Sequence, residues 1–325
     1  MPRQLVVVGD VIAPISFHHP SAGRLSNRQI VDVGPHAATS KLPLEGAPHL
    51  RGTHYHLVSE FPGHFGHFMT EDLARLWGWD LARAEFDDLR LLLSVRKPGD
   101  RVPSFVLEML RAYGIDEEQI SVIDRPTQVE RLVGATPQFH NGRYADPDIE
   151  QIWSRIAERL VDREASPPAR IFVTRPPGLA RRCHNGADVE AEFAAHDFAM
   201  VQPGALSIAD QATLFAGAKV IAGYGGSAQF NAIHCPGPTT RIVVASESYY
   251  ASNEWLISAV KGDDYHHFWC RPDVPRATTY ESASFHSDFT FDFGRDGEAL
   301  RDLIAGLPGV GSPRDRGCNS DAERR

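Results

Sequence analysis

Apolar residues along this chain follow two rhythms, and the change from one to the other marks out its elements. The run Leu89–Val95 (LRLLLSV) is almost continuously apolar and ends before Pro98, the pattern of a strand buried on both faces of a parallel sheet. Shorter strands are predicted in the first half at Leu5–Val8, His54–Ser59, Ile120–Ile123 and Arg131–Ala135. The second half carries five more: Arg170–Thr174, Phe198–Gln202, Val220–Gly223, Arg241–Ala245 and Tyr265–Trp269. Helical spacing takes over between them. From about His67, Met69, Leu73, Leu76 and Trp77 fall on one stripe, while His67, Glu71 and Arg75 share another face at i, i+4 and i+8. A helix over Phe105–Tyr113 meets Gly114, which suits a C-cap. Others are predicted over Asp148–Asp162, after Ser207, where Ser-Ile-Ala-Asp has capping-box form, and over Glu298–Leu307. Strand, helix, strand at roughly 25-residue intervals predicts βαβ units, a parallel sheet and an α/β fold.

At 325 residues the chain exceeds what a single core organises well, so two domains are expected. Arg163–Pro168 (REASPP) is the best linker, because adjacent prolines cannot continue a helix. That places an N-terminal α/β domain at 1–165, a C-terminal one at 166–310 and a Gly/Ser/Arg-rich tail at 311–325 that is expected to be disordered. A net charge of −9 argues against nucleic acid as a partner. Cys183, Cys235, Cys270 and Cys318 form no paired framework and fit reduced thiols in a cytoplasmic protein. The sequence has no apolar run of membrane-spanning length, so any membrane contact is expected to be peripheral, at the inner face. Oligomeric state is not encoded in any visible pattern.

Ligands of open α/β sheets sit beyond the carboxyl ends of the strands, and two segments of the second half place chemistry there. In IFVTRPPGLARRCHN a strand delivers Arg175, and the following loop carries Arg181, Arg182 and Asn185. Guanidinium groups hold phosphate oxygens through paired, charge-assisted hydrogen bonds. A solvated basic loop is the plainer alternative. In KVIAGYGGSAQFN, Gly225 and Gly226 follow a strand and Ser227 opens a helix. A diphosphate fits such a turn, since its backbone can approach closely and its amides point outward; a tight turn without ligand fits as well. Neither GxGxxG nor a P-loop is present, which disfavours dehydrogenases and P-loop enzymes. The sequence also lacks GxSxG, HExxH and an aspartate pair placed after a strand; Asp263-Asp264 precedes one, and no metal or cofactor is expected. His67, Glu71 and Asp72 are candidates for the base that takes a proton from a hydroxyl, although an amphipathic helix also shows such residues to solvent.

Taken together, HFGHFMTEDLARLW, IFVTR, RRCHN, LSIADQATLFAGA and GGSAQFN resemble, in order, the motifs of glycosyltransferase family 61, whose bacterial members are often capsular polysaccharide biosynthesis proteins. The resemblance implies a GT-B architecture, two Rossmann-type domains with parallel sheets facing a central cleft. It implies an inverting, metal-independent transfer from a nucleotide-sugar donor to a glycan or polysaccharide acceptor. Carried over, it assigns Arg175 and Arg182, with Gly225, Gly226 and Ser227, to the donor diphosphate, and Asn185, Ser207, Gln211 and Asn231 to shaping the site. It places His67 on the cleft. The chain departs from the family at Gly225, where a histidine is frequent. That departure keeps open a non-catalytic nucleotide-sugar-binding or assembly protein with a degenerate transferase site. Within enzymes, an epimerase acting on nucleotide sugars is the other alternative.

Overall fold

The computed structural model describes residues 5–9, 11–13, 30–34, 37–41, 44–58 and 61–307; Ser59, Cys318 and the tail 311–325 lie outside them. The architecture is mixed α/β with two parallel sheets. The first sheet holds β1 (His49–His56), β2 (Arg90–Ser94), β3 (Ile120–Ile123) and β4 (Gln128–Gly134) in the order β3-β2-β1-β4. All three pairings are parallel. The apolar run of Leu89–Val95 supplies β2, an inner strand with Leu91, Leu92 and Leu93 buried. The predicted first strand lies elsewhere. Among the described residues Val7–Val8 pairs with Val11–Ile12 alone, in a small antiparallel hairpin whose Val7, Val8 and Val11 are exposed.

The second sheet holds β5 (Arg170–Val173), β6 (Ala199–Val201), β7 (Val220–Tyr224), β8 (Thr240–Ser246), β9 (Asp264–Pro272) and β10 (Phe289–Thr290). Their order is β6-β5-β7-β8-β9-β10, parallel except for the last pairing. Alternation along the strands assigns the two faces. Phe172, Val220 and Ala222 pack with Val189 and Phe193 of α3 (Gly186–Ala194) and, beyond the short α6 (Ser282–Phe285), with Leu300 and Ile304 of α7 (Phe293–Ala305). Ile171, Val173 and Ile221 face the other way, toward α4 (Ile208–Gly217), the 3-10 helix Ser227–His234 and α5 (Asn253–Lys261). The chain therefore winds outward from β5 and β7 in opposite directions. In such a sheet the loops leaving those two strands diverge and leave a crevice between them.

That second cluster is shared with the first half. It takes in Met109 and Leu110 of α1 (Ser104–Tyr113), Trp153 and Ile156 of α2 (Ile149–Leu160), and Met69, Leu73 and Leu76. Lys261 crosses the same boundary, donating to Glu150 and to the carbonyl of Cys235.

The helical run 65–85 departs from the predicted regular helix. It opens as α-helix at Phe65–His67, becomes a π turn at Phe68–Asp72 and a 3-10 helix at Leu73–Gly78, then returns to α-helix at Trp79–Glu85. Met69, Leu73 and Leu76 are buried as expected, but Trp77 is exposed and donates to the carbonyl of Thr136. At three residues per turn, Leu76 eclipses Leu73 and Trp77 swings off the stripe. The charged face is not solvated: Glu71, Asp72 and Arg75 are all buried.

Asp263 lies at the opposite edge from the crevice, before β9, where it accepts from the amide and hydroxyl of Thr239. It also faces Arg241, which is fully buried on β8 and donates to the carbonyl and side chain of Gln229. This is a structural ion pair at the amino ends of the strands. Removing one partner of such a pair leaves a buried charge without compensation. Arg241→Ala is expected to lower the unfolding free energy by about 3–5 kcal/mol, measured by the shift of the urea midpoint.

Candidate active site

The crevice is lined by the residues that leave β5 and β7. Val173 and Gly223 are paired neighbours, so Arg175 and the turn Gly225-Gly226-Ser227 emerge side by side. Arg175 Nη2 donates to the carbonyl of Gly225 at 2.6 Å. A Cβ on Gly226 would lie 2.8 Å from Arg175 Nη2 and 3.5 Å from Arg181 Nη2, so both guanidinium groups close over this turn. Gly226 has φ of 155°, a region open to glycine and strained for other residues. Arg181 reaches the same place from an unusual backbone, with φ of 63°, and stacks over the ring of Tyr249 at 4.1 Å. Arg175 Nε and Arg181 Nε and Nη1 are buried without an acceptor among the described residues. Burial and the neighbouring Arg181 pull the Arg175 guanidinium down to about 10. Buried donors without an acceptor, beside a like charge, are groups that an anion's oxygens could satisfy.

Glu254, in the first turn of α5, sits in the middle of this arrangement. Its Oε1 accepts from the Gly226 amide at 2.6 Å and from the Tyr249 hydroxyl at 3.1 Å. Glu254 is buried, and desolvation raises its carboxyl above the usual range. Ser227 and Ala228 carry the first N–H groups of the 3-10 helix, which helix geometry leaves without an intrahelical acceptor.

The other predicted residues divide into groups. Arg182 does not join Arg175: its amide donates to Asp288, its guanidinium stands 3.7 Å from the same carboxylate, and its side chain is 63% exposed. It lines a separate cavity of about 580 Å³ with His286 and Asp273. Asn185 clamps its loop to the segment before α7 by binding both the amide and the carbonyl of Phe291. Ser207 caps α4 through the Asp210 amide. Gln211 accepts from Asn231 Nδ2 at 3.0 Å, which ties α4 to the glycine turn. Asn231 is fully buried and so supports the turn from beneath.

From the first half, Gly66 packs directly on the turn; a Cβ there would lie 3.0 Å from Cβ of Ser227 and 3.2 Å from the Phe230 ring. The next residue, His67, pairs through Nδ1 with Glu71 Oε2 at 2.5 Å and stacks on Phe61. Asp72 faces away from that pair and lines a cavity of about 290 Å³ with Arg96, Arg101 and Pro103 at the carboxyl ends of β1 and β2.

With this geometry in view, the family comparison can be placed on the chain. The model of the family Glycosyltransferase 61 matches residues 65–243, from the start of the helical run into β8, and the chain belongs to that family. No curated protein matches the chain. No described helix is long and apolar enough to cross a membrane. No group of described His, Cys, Asp or Glu residues could hold a metal ion.

Tyr249 and Glu254 carry the site beyond the residues singled out in the sequence, and of the two loop arginines named there it is Arg181 that closes over the turn. Tyr249 and Glu254 follow the carboxyl end of β8, the position at which the strand-end rule would have looked for them. Tyr249 also accounts for Gly225. A Cβ at 225 would lie 2.8 Å from Cβ of Ala245 and 3.2 Å from the Tyr249 ring, so the tyrosine fills the space that a side chain at 225 would need. Gly225→Ala is accordingly expected to cost about 1–3 kcal/mol of stability by overpacking. A urea midpoint equal to that of the parent would show the space to be open.

Proposed function

We propose that this chain is an inverting, metal-independent glycosyltransferase that moves a sugar from a nucleotide donor to a glycan or polysaccharide acceptor. The observation that carries the reading is the convergence of Arg175 and Arg181 on Gly226 with buried donors left unpaired. A departing nucleoside diphosphate supplies the missing acceptors, and the first amides of the 3-10 helix, at Ser227 and Ala228, are further donors toward it. Charge on the leaving group is then met by guanidinium and backbone N–H groups in place of a cation. In this reading the two parallel sheets are the facing halves of a GT-B enzyme, 1–165 and 166–310, with capsular polysaccharide assembly in a bacterial cytoplasm as the setting.

The base is assigned to His67. Glu71 pairs with Nδ1 of the ring and stabilises the imidazolium that forms when the ring takes the acceptor proton. The deprotonated oxygen attacks the anomeric carbon from the face opposite the diphosphate, which inverts the configuration. Packing of Gly66 on Ser227 is what brings this pair beside the donor turn.

One observation supports a second reading, a non-catalytic nucleotide-sugar-binding or assembly protein: Glu254 already holds the Gly226 amide. Turnover separates the two. Purified protein offered a panel of nucleotide sugars and glycan acceptors is expected to release nucleoside diphosphate in the presence of chelator, with inverted product by NMR. Activity abolished by chelation would remove the metal-free mechanism, and binding without any turnover would favour the second reading.

Three substitutions test the assignments within the site. Arg181→Ala is expected to lower kcat/KM by about 100-fold or more, while Arg182→Ala changes it by only about 2- to 3-fold. His67→Ala is expected to lower kcat by about 100-fold or more in a protein that still melts cooperatively.

A further inference from the structure

Gly226 is held by the chain's own carboxylate, at the point where the proposed donor phosphate would bind. We propose that Glu254 is a specificity-determining residue that competes internally for the Gly226 amide, and that a nucleoside diphosphate displaces it with uptake of one proton from solvent. The proposal rests on the donor assignment above and extends it to how the site recognises charge.

The geometry sets the competition. Glu254 Oε1 takes the amide at 2.6 Å, and the Tyr249 hydroxyl holds the same oxygen. Arg181 lies over the Tyr249 ring and Arg175 binds the carbonyl of Gly225, so both guanidinium groups are close enough for their charge to act on the Glu254 carboxylate without touching it. Tyr265 on β9 and His286 from the neighbouring loop complete the titratable surroundings, and both are coupled to this cluster. A diphosphate seated on the same arginines cannot share the amide with an ionised carboxylate, because two anions in one desolvated place repel strongly. Once protonated, Glu254 loses its claim on the amide and becomes a donor to phosphate oxygen. Desolvation already raises its carboxyl, which lowers the cost of that step.

Sign and slope follow from linkage. If binding takes up one proton, affinity is full where Glu254 is protonated in the free protein and falls about tenfold per pH unit above its titration. The test is isothermal calorimetry with adenosine, cytidine, guanosine and uridine diphosphates from about pH 7 to about pH 9, where phosphate ionisation is nearly complete, in buffers of differing protonation enthalpy.

The unaltered protein is expected to take up about one proton per diphosphate and to lose affinity as pH rises. E254Q is expected to bind at least about tenfold more tightly at the upper end, with no pH slope. Y249F removes the hydroxyl that stabilises the carboxylate, so its fall in affinity is expected to begin at higher pH. Binding without proton uptake, or E254Q and Y249F with the parent's pH profile, would overturn the role of Glu254 and leave the donor site standing. No binding by the unaltered protein or by E254Q would overturn the donor site itself. If E254Q does not fold, the proton count on the unaltered protein and the Y249F profile decide the matter.

Discussion

Two guanidinium groups brought side by side in a half-buried crevice repel each other, and each must find acceptors for its N–H groups or lose the hydrogen bonds water would give it. In this protein Arg175 and Arg181 are held in that arrangement, and much of the surrounding structure serves to keep them there. The carbonyl of Gly225 takes one N–H of Arg175, the face of Tyr249 takes the Arg181 plane, and Glu254 supplies the opposing charge. Gly225 and Gly226 lack the Cβ atoms that would push Tyr249 and Arg175 away. Asn185 locks the loop that carries Arg181 onto Phe291. Opposite winding from β5 and β7 leaves the space in which all this happens.

The sequence was most informative where backbone periodicity alone decides structure. Continuous apolar runs became inner strands, Gly114 became a left-handed C-cap, and Ser207 became an N-cap. Those signals are local, since a strand buried on both faces or a capped helix needs little from distant residues. The site was legible only in part. Arg175 and the glycine turn stand out because a strand end and a Gly-Gly pair are visible in one dimension. The choice between Arg181 and Arg182 is not. Neighbouring residues in a loop point in different directions, and here the φ of 63° at Arg181 and the Asp288 carboxylate beside Arg182 decide which one turns inward. Tyr249 and Glu254 lie beyond residue 243, where the family match ends; their place after a strand end is visible in the sequence, but their contact with the Gly226 turn is not. The helical run 65–85 misled for a related reason. Its π and 3-10 turns change the residue count per turn, so a stripe drawn at regular helical spacing drifts off at Trp77 and hides the burial of Glu71 and Arg75.

The shared hydrophobic cluster constrains how far the crevice can open. Separating the halves along α2, α4 and the 3-10 helix would expose Trp153, Ile156, Phe215, Phe230 and Ile233 together. With each large side chain contributing roughly 1.5–3 kcal/mol, that opening costs on the order of 8–15 kcal/mol, at least what a micromolar binding step supplies. The halves are therefore held packed where Gly66 meets Ser227. On its open side, the loop that carries Arg181 and Arg182 divides two environments. Arg182 is exposed at the rim of its own cavity and stands beside Asp288, whereas Arg175 and Arg181 close over Gly226 near the buried Glu254. Neighbouring arginines of one loop therefore carry different electrostatic loads: water and salt screen the exposed one, while the inner two depend on the Gly225 carbonyl, the Tyr249 ring and the Glu254 carboxylate for what opposes their charge.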